Sequence, residues 1–191
     1  MTSLGEGGAM PTSILVTYAT RYGSTREVAE TIGARLRESG FDADVRPVRE
    51  VRSVDGYDAV VLGAPLYIGS LLKDAVAFLG HHRVALQQLP VAVFALGPIS
   101  TDESMEDART QLDTALAKTP WLSPAARQVF VGKYDPVKLR FVDKAIAVLP
   151  ASPLHGVGPH DERDWAAIGA WAQALPASLG IVPSPPASDG D

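Results

Sequence analysis

A hydroxyl-rich turn follows the first apolar run of the chain and has the residue types of a phosphate-binding loop. Thr20, Ser24 and Thr25 supply hydroxyl donors, and Gly23 lets the backbone bend close to a ligand. Apolar residues recur at four-residue spacing from Val28 onward, so the unpaired N–H groups of a helix start would face the same place. The turn predicts a phosphate site; the alternative is a plain β–α connection whose Ser and Thr cap the helix.

The spacing of this turn argues against two common nucleotide-binding loops. Neither the Gly-x-Gly-x-x-Gly dinucleotide pattern nor the Gly-Lys-Ser/Thr ending of a triphosphate loop occurs at this strand end. What remains is Thr-x-x-Gly-Ser-Thr at residues 20–25, which is similar to the phosphate loop of the flavodoxin family. In that family the loop holds the 5′-phosphate of FMN. The resemblance implies the same contact here, with Arg21 and Tyr22 shaping the loop.

Strands and helices alternate along the rest of the chain. Apolar runs predict strands at residues 14–18, 43–48, 59–63, 91–96 and 127–131. Helical segments are predicted at residues 24–39, 71–79, 102–118 and 163–175. In the last of these, Trp165, Ile168, Ala172 and Leu175 share one helix face, which predicts that they are core residues. This alternation predicts a doubly wound α/β fold whose five parallel strands fit the flavodoxin-like order 2-1-3-4-5. In that order, ligands bind beyond the carboxyl ends of strands 1 and 3.

Two more turn-rich segments are expected at the same edge of the sheet. Strand 3 is followed by Ala64, Pro65, Leu66, Tyr67, Ile68 and Gly69, and strand 4 by Gly97, Pro98, Ile99 and Ser100. Each segment alone is an ordinary turn, but three such loops at adjacent strand ends favour a binding site. Both resemble the flavin-ring loops of the flavodoxin family. The resemblance implies that the flat face of Tyr67 stacks on the flavin ring and that the other residues provide backbone contacts.

A long segment separates strand 5 from the last predicted helix. Residues 133–162 amount to roughly thirty residues, longer than most compact connections, and we interpret them as an insertion. An apolar stripe beside Lys138, Arg140 and Lys144 predicts an amphipathic helix at residues 137–149. A helix packed on the domain is the favoured interpretation. The alternative is an interfacial helix that meets anionic lipid, a quinone-carrying membrane or an acidic porphyrin.

Three segments together define a more specific resemblance. Residues 18–26, 63–69 and 130–134, the last followed by the insertion, make the chain similar to the menaquinone-dependent protoporphyrinogen oxidase branch of the flavodoxin family. The resemblance implies an FMN-dependent oxidoreductase that passes electrons from a porphyrinogen to a quinone in haem synthesis. The insertion departs from that branch, because it is poorer in aromatic and basic residues. No residue stands out as a general base, so no catalytic residue is predicted.

Two other functions remain open. A one-electron carrier that docks on redox proteins would suit the formal net charge of −5. An NAD(P)H:quinone reductase is suggested by the Gly-x-Pro-x-x-x-Gly pattern of the loop after strand 3.

Composition narrows the possible chemistry. The chain has no Cys, which excludes disulfides, thiol redox couples and iron–sulfur ligation, so electrons must come from a bound cofactor. His81, His82, His155 and His160 lack a carboxylate or Cys set that would complete a metal site, so we predict solvated loop histidines and no metal. Nothing in the composition indicates a nucleic-acid partner.

The 191 residues fit one domain, predicted at residues 12–181 between a flexible N terminus at 1–11 and a flexible tail at 182–191. No uncharged apolar run is long enough to span a bilayer, and the first residues lack the pattern of a signal peptide. We therefore expect a cytoplasmic protein. Peripheral contact with the inner face of the membrane would run through residues 137–149.

Overall fold

The computed structural model describes residues 12–67, 69–97, 104–134 and 159–183. Its main sheet has five parallel strands in the order β2-β1-β3-β4-β5. The strands are β1 (Ser13–Tyr18), β2 (Asp42–Pro47), β3 (Ala59–Pro65), β4 (Val91–Leu96) and β5 (Ala126–Phe130). The predicted doubly wound sheet and its order are confirmed, and each predicted strand lies within two residues of the observed one.

Helices cover both faces of the sheet. They are α1 (Ser24–Glu38), α2 (Lys73–His81), α3 (Arg83–Leu86), α4 (Met105–Ala117) and α5 (Trp165–Leu179), with a 3₁₀ turn at Val48–Glu50. Helices α1 and α5 pack on one face and α2, α3 and α4 on the other. The sequence did not predict α3, because its single turn continues the apolar spacing of α2 after a break at His82.

The core consists of two apolar layers, one on each face of the sheet. Strands β1, β3 and β4 are buried almost throughout, as their continuous apolar runs predict. Alternate residues point to opposite faces: Leu15 and Val60 contribute to the layer under α2 and α4, while Val61 and Phe94 contribute to the layer under α1 and α5. The Phe94 ring meets the Trp171 ring edge-on, with centroids 6.0 Å apart. This packing fixes the strand ends from which the loops of interest leave.

A second, two-stranded sheet lies at the base of the insertion. Strand β6 (Lys133–Tyr134) pairs antiparallel with β7 (His160–Asp161), and the sequence did not predict this pair. Strands of two residues carry no periodic pattern that could be read. The predicted helix at 137–149 lies outside the described residues, as do residues 1–11 and 184–191 of the predicted termini.

Two side chains differ from their predicted environments. His82, predicted to be solvated, is only 8% exposed and packs against Phe78 with ring centroids 4.8 Å apart, and burial lowers its pKa. Trp165, predicted to be a core residue, is 42% exposed, because it is the first residue of α5 and lies at the end of the apolar layer. Buried Ile168 and Ala172 follow the predicted helix face.

Two features are absent from the part of the chain that the structure covers. No helix within it is long and apolar enough to cross a bilayer. No group of His, Asp and Glu side chains in those same ranges could hold a metal ion.

Candidate functional site

The loop between β1 and α1 forms a closed turn at the carboxyl end of the sheet. Gly23 precedes the first residue of α1 with φ +94°, a left-handed conformation that favours glycine. Its N–H donates to Oγ1 of Thr20 over 2.9 Å, and its carbonyl accepts from the N–H of Glu27. A Cβ added at Gly23 would meet no atom within 4 Å, so the space beside the turn is open. The first amides of α1, which have no acceptors within the helix, follow directly after this open turn.

Thr25 is the most informative side chain of this turn. It is fully buried, yet its Oγ1 has no hydrogen-bond partner among the residues that the structure describes. A buried hydroxyl without a partner costs about 1 to 3 kcal/mol and calls for an explanation. Thr25 lies in the first turn of α1, where an anion would meet unpaired N–H groups. An anionic ligand at this turn would give the hydroxyl its missing acceptor.

The loop after β3 is a tight hairpin turn. Tyr67 and Ser70 exchange backbone hydrogen bonds of 2.8 and 3.1 Å, and Leu66 pairs with Leu71 across the turn. Gly69 supports the turn with φ +64°. The side chain of Tyr67 is 41% exposed and is one of the few large apolar groups at the surface. The turn thus presents an aromatic face at the carboxyl edge of the sheet.

Helix α4 holds this turn in place with two polar side chains. The Nζ of Lys118, just after α4, donates to the carbonyl of Gly69 over 2.9 Å and to Oγ of Ser70 over 2.6 Å. Oε1 of Gln111 accepts from the N–H of Gly69 over 3.3 Å. Sequence reasoning missed both side chains, because they lie more than forty positions away from the turn along the chain.

The structure brings the first two loops into contact. The Arg21 guanidinium lies over the Tyr67 ring, 5.4 Å from its centroid, and the N–H of Ala19 donates to the carbonyl of Gly63. Gly97, at the end of β4, joins the same edge through a hydrogen bond to the carbonyl of Phe130.

All the other predicted site residues that are described lie in these same segments: Tyr22 in the first loop, Ser24 at the first position of α1, and Ala64 and Pro65 at the end of β3. Ile68, Pro98, Ile99 and Ser100 lie outside the described residues.

A buried arginine that the sequence analysis missed lies behind the first loop. The Arg163 side chain is only 1% exposed. It donates to both carboxylate oxygens of Asp161, to Oε2 of Glu27 over 2.6 Å and to the carbonyl of Ser24 over 3.2 Å. Its guanidinium also stacks on the Trp165 ring, 4.5 Å from the centroid. The run Asp-Glu-Arg-Asp at residues 161–164 was a signal of charge, but not of burial.

These contacts perturb the acid–base properties of the cluster. Hydrogen bonds from Arg163 lower the pKa of Asp161 to about 2. Burial alone would lower the pKa of Arg163, but its hydrogen bonds to Asp161 and Glu27 outweigh burial and raise that pKa. Lys133 of β6 also reaches Asp161, at 3.4 Å. Asp161 and Arg163 therefore stay ionised at neutral pH.

The arrangement suits a ligand with a phosphate at one end and a flat ring at the other. The amides and hydroxyls at the start of α1 match the phosphate, and the orphaned hydroxyl of Thr25 is the observation that tests the fit. The exposed Tyr67 ring matches the flat end. Both lie at the edge where the strand order reverses between β1 and β3.

The chain is similar in sequence to proteins of known activity. Protoporphyrinogen IX dehydrogenase (quinone) of Escherichia coli K12 is 31% identical over 88 residues, which are 45% of this chain and 49% of that protein. The chain thus matches about half the length of this relative. A protein of the same name from Leishmania major is 26% identical over 186 residues, covering 91% of this chain and 79% of that protein.

A solved archaeal flavodoxin shares the fold. It is 15% identical, has a TM-score of 0.52, and the match covers 88% of this chain and 99% of the flavodoxin. The sequence model of the family described as flavodoxin domain matches residues 15–153, well over half of the chain. The chain therefore belongs to the flavodoxin domain family.

Proposed function

We propose that the chain binds FMN with the phosphate at the start of α1. The orphaned hydroxyl of Thr25 carries this proposal, because phosphate oxygens would accept its hydrogen bond in a fully buried position. The hydroxyl of Thr20 already accepts from Gly23, so its own hydrogen can be donated to the ligand. Ser24 adds a third hydroxyl to the same turn.

The isoalloxazine ring would lie against the hairpin turn after β3. Tyr67 offers a stacking face, and the Arg21 guanidinium over that ring braces it from the phosphate-loop side. Residues 64–69 and 97–100 would contribute backbone contacts to the ring edge, as the sequence analysis predicts. The hydrogen bonds from α4 to the hairpin turn favour a fixed position for these contacts.

The proposed activity is dehydrogenation of protoporphyrinogen IX with a quinone as electron acceptor. The two relatives described above bear that name. The roughly thirty residues at 133–162 also support it, since the oxidase branch that the chain resembles has an insertion at this place. Bound FMN would supply two-electron redox chemistry, for which a chain without Cys has no substitute. The chain would bind and orient the two substrates and exclude water; no catalytic residue is assigned. Each cycle would remove two electrons and two protons from the porphyrinogen and deliver both to the quinone.

A cofactor titration tests the first part of the proposal. The apo-protein is titrated with FMN and, in parallel, with riboflavin, and the quenching of flavin fluorescence gives both dissociation constants. We expect clearly tighter binding of FMN, because only FMN carries a phosphate for Thr25 and the α1 amides. Equal affinities would contradict the phosphate site, and failure to bind either flavin would contradict the cofactor.

An anaerobic substrate experiment tests the second part. The FMN-loaded protein is mixed with protoporphyrinogen IX while flavin absorbance is followed, and a menaquinone analogue is then added. We expect bleaching by the porphyrinogen and recovery with the quinone. Bleaching by NADPH or NADH alone would favour the quinone-reductase alternative instead.

A one-electron carrier is the second candidate, and the formal net charge of −5 favours it, since acidic surfaces steer docking onto basic partners. It predicts that porphyrinogen leaves the flavin oxidised while a basic redox protein exchanges electrons with it. Contact of residues 137–149 with the inner face of the membrane remains a prediction, which vesicle co-sedimentation would test.

A further inference from the structure

We propose that Arg163 is a positioning residue for the phosphate loop: it neutralises the Glu27 carboxylate and holds the first turn of α1 so that a phosphate dianion can bind there. The inference rests on the proposed FMN site and deepens it. It assigns a function to a residue that lies outside the loop motif and 136 positions from Glu27 in the chain.

The geometry of Arg163 is that of a buried clamp. Nε and Nη2 donate to the two oxygens of Asp161 over 2.7 and 2.6 Å, so the planar guanidinium is held in a fixed orientation. Nη1 reaches the carbonyl of Ser24, and Nη2 reaches Glu27. Both contacts lie in the first turn of α1. The clamp thus fixes the turn whose amides would bind phosphate.

The contact between Arg163 and Glu27 affects the binding of an anionic ligand at this turn. It is the acidic residue of the first turn of α1 and lies two positions after Thr25. A carboxylate there interacts favourably with the positive end of the helix dipole, but it also repels a phosphate dianion at the same end. The Glu27 side chain is 42% exposed, and its contact with Arg163 at 2.6 Å fixes its position and offsets its charge.

The balance of charge in the cluster depends on Arg163. Arg163 and Lys133 contribute two positive charges, and Asp161 and Glu27 contribute two negative charges. Removal of the Arg163 charge leaves one net negative charge beside the loop. Because Asp161 belongs to β7, the same guanidinium also ties the start of α1 to the base of the insertion.

The test is to measure FMN and riboflavin affinity in Arg163→Gln. We expect FMN affinity to fall about tenfold or more at low salt, because the phosphate then faces an uncompensated carboxylate. Riboflavin lacks the phosphate, so its affinity should change less than about twofold. Added Glu27→Gln should restore most of the FMN affinity. Arg35→Gln, which breaks an exposed pair with Glu38 at the far end of α1, is the matched control and should change neither affinity.

The outcomes separate this inference from the proposed function. Equal losses for both flavins in Arg163→Gln, or no rescue by Glu27→Gln, would mean that Arg163 is merely structural and would overturn the inference. Wild-type protein that binds neither flavin would contradict the proposed cofactor instead.

If Arg163→Gln does not fold, Glu27→Gln alone still tests whether the charge balance of this cluster affects phosphate binding. Loss of the Glu27 charge leaves one net positive charge beside the loop, so FMN affinity should rise about tenfold at low salt while riboflavin affinity changes less than about twofold. No change for FMN, or an equal change for both flavins, would overturn the inference.

Discussion

The two loops of the candidate site are secured by opposite means. The first turn of α1, next to the proposed phosphate loop, is held by Arg163, whose side chain is 1% exposed and paired with two carboxylates. The hairpin turn after β3 is held by Lys118 and Gln111, whose side chains lie at the surface of α4. A buried, fully paired charge is costly to disturb, while exposed polar contacts contribute little.

This difference suggests that the two loops have different structural roles at the candidate site. The first is built in a fixed geometry that an invariant chemical group, a phosphate, would require. The second is held in place by exposed polar contacts, each of which contributes less to stability than a buried ion pair.

Replacement of Asp161 should have the largest effect. Asp161→Asn leaves Arg163 buried with one carboxylate fewer. The new amide also turns N–H donors towards the guanidinium, which has no hydrogen-bond acceptor. We expect a loss of about 2 to 3 kcal/mol in the free energy of unfolding, measured by urea denaturation.

Asp113→Asn is the matched control for Asp161→Asn. It breaks an exposed pair with Arg127, whose atoms are 3.0 Å apart, and should cost less than about 1 kcal/mol. Equal losses in the two variants would remove the contrast between buried and exposed charges.

Thr25→Val should have a large effect on one ligand and almost none on the fold. Valine keeps the shape of the side chain and removes the orphaned hydroxyl, so the apo-protein should be as stable as wild type or more stable by up to about 1 kcal/mol. FMN affinity should fall by about 2 kcal/mol, roughly thirtyfold, while riboflavin affinity should not change.

Thr31→Val is a suitable control for Thr25→Val. Its hydroxyl bonds to the carbonyl of Glu27 within the same helix, and FMN affinity should not respond to its removal. A drop in apo-protein stability for Thr25→Val would show that the hydroxyl already has a partner, and would remove the observation on which the phosphate site rests.

The sequence predicts the sheet and the first loop because both depend on local patterns. Continuous apolar runs identify β1, β3 and β4 without any knowledge of their neighbours. The spacing of Thr20, Gly23 and Thr25 identifies the turn in the same way, since a glycine and hydroxyls at a helix start are meaningful by themselves.

The sequence does not predict the residues that hold these loops. Arg163 and Lys118 act across 136 and 49 positions of chain, and an isolated Arg or Lys in a charged stretch is normally solvated. The burial of His82 depends in the same way on a contact with Phe78 within the folded protein. The residues that hold a site in place are thus determined by tertiary contacts, which local sequence patterns do not show.

Acidification should remove the part of the free energy of unfolding that the ionised Asp161 contributes through Arg163. The pKa of Asp161 falls from 3.8 in its ordinary state to about 2 in the fold. A lowered pKa stabilises the fold above pH 3.8, and that contribution is lost as the pH falls from about 4 to 2.

Because Asp161 is 34% exposed, solvent screening reduces the contribution to about 1 kcal/mol. The stability difference between wild type and Asp161→Asn should therefore be constant above about pH 5 and shrink below pH 4, as measured by urea unfolding across pH. A difference that is independent of pH down to pH 2 would show that the Asp161 carboxylate does not carry the effect.

Lys118→Met should have the smallest effect and a different signature. The variant removes two hydrogen bonds from the turn at Gly69 and Ser70 but no buried charge, so unfolding should change by less than about 0.5 kcal/mol. A looser turn should weaken FMN and riboflavin equally, by about 1 kcal/mol, because both carry the ring. Arg109→Met, which breaks an exposed contact on the same helix, should leave both affinities unchanged. If Lys118→Met weakened FMN alone, Lys118 would act on the phosphate, and the assignment of one loop to each end of the ligand would fail.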